Sequence, residues 1–171
     1  KTALKARINS DLSNDLGNLC QRVISMVYKN CNGQIPFKCE MINEQDKLFY
    51  NKSNALYSEV KLEIEKQSFH EALKLIWKFI STANKYVDEQ APWNLKNENK
   101  NRMDDVLWIL ADNIRKIAIL TQPFIPYASK KILDQLSIDF NERDFTYLDP
   151  KYFIKSNKIE SPKPIFPRLD N

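Results

Sequence analysis

Apolar residues recur along most of this chain at spacings of three and four, the period of an α-helix with one buried face. Leu12, Leu16, Leu19, Val23 and Met26, flanked by Cys20, Ile24 and Val27, predict a first helix. Asn9 or Ser10 is placed to cap it with Asp11 in the first turn, and Cys31-Asn32-Gly33 followed by Pro36 is a stop signal. Asn43 to Gln67 predicts a second helix with Leu48, Phe49, Leu56, Val60 and Ile64 inward and its alternating lysines and glutamates in water. Ser68 with Glu71 three residues on reads as a capping box opening a third helix, striped by Phe69, Ala72, Leu73, Ile76, Ile80, Ala83 and Val87. Leu75, Trp77, Phe79 and Tyr86 widen that stripe. The fourth helix, Arg102 to Thr121, is apolar over as much of its circumference, so both belong near the centre. Pro126 fits the first turn of a fifth helix ending at Leu136.

Beyond Ser137 the period vanishes, and Asp149-Pro150 and Pro162-Lys163-Pro164 mark an extended segment. The predicted fold is therefore an all-α bundle of about five helices over residues 1–137 with an extended C-terminal tail, 138–171. Ile154, Ile165 and Phe166 are expected to lie back on the bundle or on a further domain. Lys1 to Arg7 reads as the end of a connecting helix, and with lysine in place of an initiator methionine we read the chain as a piece of a longer protein.

Composition narrows the chemistry. With only Gly17 and Gly33, the chain holds no glycine-rich phosphate loop or dinucleotide fingerprint, and a turn-rich β architecture is disfavoured. Cys20, Cys31 and Cys39 have no paired spacing and fit reduced thiols in a cytosol. His70 is the one histidine, so neither a zinc site nor a Ser/His/Asp set is expected. No apolar run is long enough to span a bilayer. A formal net charge of +4 implies weak adhesion to polyanions in general, while leaving room for a specific acidic partner. Neither DNA nor a membrane is expected as that partner.

Two places stand out as binding surface. Pro92 stops the third helix near Ala91 and leaves Trp93 at a corner, followed by a lysine- and asparagine-rich stretch, 94–102, read as flexible and cationic. A flat ring beside positive charge suits an unstacked base, worth about 1 to 3 kcal/mol in stacking; it equally suits a plug between helices. On the polar face of the first helix, Asn18 and Arg22 are neighbours four residues apart, with Asn14 and Ser25 beside them. An amide offers donor and acceptor side by side and a guanidinium a planar fork, a pairing that fits exposed base edges, although any amphipathic helix has a polar face. Gly17, about 1 kcal/mol worse than Ala inside a helix, either admits a close neighbour or is tolerated.

The stretch from Asn9 to Leu19, the run Tyr86-Val87-Asp88-Glu89-Gln90-Ala91-Pro92-Trp93, then Leu120-Thr121-Gln122-Pro123-Phe124-Ile125-Pro126 and Pro164-Ile165-Phe166-Pro167-Arg168 follow in a telling order. Together they resemble the C-terminal anticodon-binding domains of methionyl-tRNA synthetases, which are class I aminoacyl-tRNA synthetases. The likeness is weakest between Gln34 and Lys66. The resemblance implies that Asn18, Arg22 and Trp93 read the CAU anticodon of initiator and elongator methionine tRNA. Lys96, Lys100 and Arg102 are candidate phosphate contacts through nearness in sequence alone. It also implies a cytoplasmic parent enzyme whose catalytic domain, packed against this one, binds ATP and methionine. That domain's His-Ile-Gly-His-type and Lys-Met-Ser-Lys-Ser-type motifs are not in this sequence, so the chain itself is expected to hold no cofactor and to catalyse nothing. One rival is an anticodon-binding domain of another class I synthetase, or a stand-alone tRNA-binding helical module. Another is a scaffold for protein partners, with Trp93 buried and no positive potential around Arg22. The anticodon reading requires the end of the third helix to pack beside the middle of the first.

Overall fold

The structure, a computed structural model, describes residue 10, residues 12–41 and residues 43–166. Among them are six α-helices and no strand: α1 (Gly17–Asn30), α2 (Glu44–Glu65), α3 (Phe69–Gln90), α4 (Pro92–Glu98), α5 (Lys100–Thr121) and α6 (Pro126–Gln135). One wide π-turn, Leu12–Leu16, leads into α1, and Gly17 stands where it gives way to α-helix. The Asp15 carbonyl there accepts from Asn84 Nδ2 of α3 at 3.1 Å. Ser10 is already helical and its hydroxyl accepts from Asn14 Nδ2, so it is no cap; Asn9, Asp11 and Lys1 to Arg7 lie outside the described residues, as does the Leu12 side chain.

The bundle is built around α5, in which every residue from Val106 to Thr121 is buried. A helix apolar on most sides has no stable place except the centre, and α1, α2, α3 and α6 all pack on it. Of the predicted first-helix stripe, Leu16 just ahead of α1 and Leu19, Cys20, Val23, Ile24 and Val27 within it are buried, and Met26 is partly covered against them. Gly33, at φ 69°, donates to the Tyr28 carbonyl at 3.1 Å and closes the helix end that Cys-Asn-Gly signals.

Several local expectations fail. Leu48 is 60% exposed, because α2 turns Asp46, Phe49, Tyr50, Ser53, Leu56 and Val60 inward and position 48 falls on the other side. Phe69 is 51% exposed at the very start of α3, its ring meeting Phe124 edge-on at 6.4 Å between centroids. Ser68 makes no side-chain cap, so the expected capping box does not form. The stretch after Trp93 is not a flexible segment. Pro92 opens the short helix α4, and Asn99 caps α5 by accepting from Arg102 N.

The tail lies on this chain's own bundle. After two 3₁₀ turns, Phe140–Glu142 and Phe145–Leu148, it runs extended beside residues 33–35, with Ile35 N to Asn157 O and Ile159 N to Gly33 O both at 2.8 Å. Ile154, Ile159 and Ile165 are buried, and Phe166 is partly covered. What draws the tail inward is a charged group in the middle of α5. Asp112, fully buried, accepts from Ile154 N at 2.7 Å, Tyr50 Oη at 2.5 Å and Arg115 Nε at 2.9 Å. Arg115 in turn donates to the carbonyls of Tyr147 and Tyr152.

Lys116, next along α5, is also buried. Its ammonium donates to Asn54 Oδ1 at 2.9 Å, lies 3.5 Å from Asp112 and sits over the Tyr50 ring. Burial outweighs the Asp112 charge and pulls its pKa from 10.5 down to about 8. Between those two values the unfolded chain binds more protons than the folded one, so this residue's penalty on stability is present below pH 8 and fades as pH rises toward 10.5. Denaturant unfolding at pH 7 and pH 10 is expected to show the native chain gaining on the order of 2 kcal/mol relative to Lys116→Met, a comparison in which titrating groups that do not touch Lys116 cancel.

Candidate nucleic-acid interface

Polar residues on two helices face each other across a cleft of 450 Å³. Asn14, Asp15, Asn18 and Arg22 line one side, and Ser81, Asn84, Lys85 and Asp88 of α3 line the other. Asn14, Asn18 and Arg22 on one side, and Ser81, Asn84 and Asp88 on the other, recur at spacings of three or four, so two polar stripes run side by side. Arg22 crosses the cleft: its guanidinium donates to Asp88 Oδ1 at 2.7 Å and lies over the Trp93 ring, Cζ to centroid 5.5 Å. The end of the third helix therefore packs beside the middle of the first. Asn18 is exposed one turn before Arg22, and the Trp93 indole is 46% exposed, which is not the burial a structural plug requires.

Such an arrangement offers a ring for stacking, a guanidinium fork beside it and an amide one turn away. It is not strongly cationic. Asp88 neutralises Arg22 and Lys85 pairs with Glu89 at 3.8 Å, so attraction over a distance is small and contact chemistry dominates. Of the three cations proposed for phosphates, Lys96 is exposed on α4, and Lys100 is exposed with a loose 3.6 Å pair to Asp104. Arg102 is occupied elsewhere. Its fork grips both oxygens of Asp46, with Nη2 to Oδ1 at 2.9 Å, and reaches Gln90 Oε1 at 2.7 Å.

Sequence reasoning passed over Asp88, Asn84 and Asp46. For the first two a signal was present, since Ser81, Asn84, Lys85 and Asp88 form a polar stripe on a helix otherwise noted for apolar residues. Asp46 gave none; it is 1% exposed in a stretch that reads as solvated charge.

Residues 46–165 match the family described as the anticodon-binding domain of tRNA ligase, and the chain belongs to that family. Within it, the similarity runs to methionine–tRNA ligases. The enzyme of Rhizobium meliloti is 39% identical over 166 residues, covering 96% of this chain and 32% of the relative, and that of Rickettsia felis is 39% identical over 173 residues, covering 99% and 34%. Methionyl-tRNA synthetase of Mycobacterium tuberculosis in its free state superposes with a TM-score of 0.92 at 33% identity, covering 100% of this chain and 35% of that one. The chain thus spans about a third of the length of the relatives it matches.

The Trp93 corner depends on one unusual residue. Ala91 sits in the left-handed region at φ 44°, ψ 59°, between the end of α3 and Pro92 at the start of α4. For a residue with a Cβ that conformation costs about 1 to 2 kcal/mol. Ala91→Gly is expected to match or exceed the native chain in urea unfolding by up to about 1 kcal/mol, the relieved strain being partly offset by unfolded-state entropy. Ala91→Val, β-branched at positive φ, is expected to lose more than about 1 kcal/mol.

Proposed function

We propose that this chain is the anticodon-reading domain of a methionine–tRNA ligase and binds the CAU loop of initiator and elongator methionine tRNAs. The observation that carries the reading is the half-exposed Trp93 ring with the Arg22 guanidinium 5.5 Å from its centre and Asn18 one turn away. An unstacked first anticodon base lies against the ring, and Arg22 and Asn18 hydrogen-bond the exposed edges of the bases. Lys96 and Lys100 hold phosphates beside them; Arg102, bound to Asp46, does not. Methionine activation with ATP and transfer to the tRNA belong to the part of the protein outside this chain, against which the bundle packs, in the cytoplasm.

Anisotropy titrations of the chain with a labelled CAU stem-loop, and with one altered at the first anticodon base, test the reading. Trp93→Ala is expected to lose about 1 to 3 kcal/mol of CAU binding, roughly 5- to 150-fold, and with it the preference between the two loops. Equal affinity of the native chain for both loops overturns the proposal. Lys96→Ala is expected to weaken both loops alike and to lower the slope of log affinity against log salt by about 0.7, the share of one phosphate contact on a single strand.

A further inference from the structure

The segment carrying Trp93, residues 91–101, leaves α3 after Gln90 and enters α5 just before Arg102. Both flanking residues belong to one hydrogen-bonded set. Arg102 forks onto Asp46 and donates to Gln90 Oε1, while Gln90 Nε2 donates to Gln45 Oε1 at 2.9 Å, so that the two ends of the segment are bound to each other and to the start of α2. The Tyr86 hydroxyl, from the last turns of α3, donates to the same Asp46 carboxylate at 2.5 Å. Between the ends, α4 is only seven residues long, too short to persist without support. Its hold on the bundle is the buried Pro92 and the partly buried Leu95.

We infer that Asp46, acting with Arg102 and Gln90, is a positioning group for anticodon recognition: a buried carboxylate, away from the nucleotide, that holds the 91–101 arm so that Trp93 faces Arg22. The inference rests on the reading of Trp93 as a base platform. The α2–α3 contact does not need this carboxylate, since Phe49 stacks on Tyr86 at 4.3 Å and on Phe79 at 5.4 Å. The arm is tied through it at both ends, by Gln90 where α3 stops and by Arg102 just inside α5. A ligand that meets a loosely held ring must order it on binding, and the free energy spent on ordering is lost from affinity.

The test compares Asp46→Asn, Arg102→Gln and Tyr86→Phe in the chain by three readouts: anisotropy with the CAU and altered loops, ¹⁵N relaxation of the Trp93 indole N–H, and urea unfolding. Asp46→Asn and Arg102→Gln are expected to weaken CAU binding by about ten-fold or more, to shrink the preference between loops, and to make the indole mobile while unfolding stays cooperative. Tyr86→Phe, which removes one hydrogen bond from Asp46 and leaves the Arg102 fork, is expected to lose stability yet keep CAU affinity within about three-fold. CAU affinity and indole relaxation unchanged in Arg102→Gln overturn the inference. Should Asp46→Asn fail to fold, Arg102→Gln and Gln90→Leu, altered at partly exposed positions, decide it. A native chain that does not distinguish the loops overturns the base-platform reading instead, and the indole relaxation still reports whether the staple holds the arm.

Discussion

Asp46 cannot be left alone where it lies. A carboxylate taken out of water carries a penalty of several kcal/mol unless donors replace the solvent it has lost, and at 1% exposure almost none remains. The donors come from different parts of the chain, Tyr86 near the end of α3 and Arg102 near the start of α5. Satisfying one charge therefore draws three helix ends together. That convergence pins the Trp93 corner: α3 stops at Ala91-Pro92, α5 starts after Asn99, and with both ends tied the short segment between them has little freedom in where it points. The Arg22–Asp88 pair, exposed and individually weak, then closes a gap already made narrow.

The middle of the bundle repeats the device with different partners. Asp112 takes a hydroxyl from Tyr50, a backbone N–H from Ile154 and the Arg115 side chain, joining α2, α5 and the tail. In both clusters a tyrosine serves as donor, and burial together with the neighbouring carboxylate pushes each phenol upward so that it keeps its proton. A buried phenol can give only one hydrogen bond and cannot leave its partner half-satisfied by ionising. The tail's lack of periodicity is thus no sign of independence, because backbone groups of residues 147, 152 and 154 meet α5 side chains and take the place of an apolar stripe.

Helix positions were legible in the sequence because burial imposes a period that any reader can count, and α5 announced itself as central by being apolar over most of its circumference. Leu48 and Phe69 misled for the same reason: counting apolar residues does not say which side of a helix a neighbour will take. The polar junctions were illegible in principle. Asp46 and Asp112 look like surface charge until the partner 40 or 56 residues away, or on the next turn, is known. Sequence proximity points Arg102 toward phosphates, and the fold turns it inward onto Asp46. The candidate site falls between these cases. Asn18 with Arg22 was visible as helix neighbours and Trp93 as a corner residue, but their meeting depends on a crossing that no local pattern encodes, and Asp88, which fixes the guanidinium, went unmarked.

The charge balance around the corner bears on how a reader of three bases would work. Arg22, Lys85 and Lys100 each have a carboxylate within 4 Å, so the field reaching an approaching RNA is small beyond a Debye length of about 8 Å. A strongly cationic surface gathers every RNA and discriminates among them poorly, since phosphate attraction is the same for all sequences. For the proposed anticodon reader the reverse holds: little affinity is available until a base reaches the Trp93 face, and the remainder requires edges that match a fork whose plane is already set by Asp88 and the indole. Weak attraction and an oriented fork work together, because Asp88 and the indole bias the guanidinium toward one plane, whereas an unsupported arginine turns freely to meet whichever base arrives.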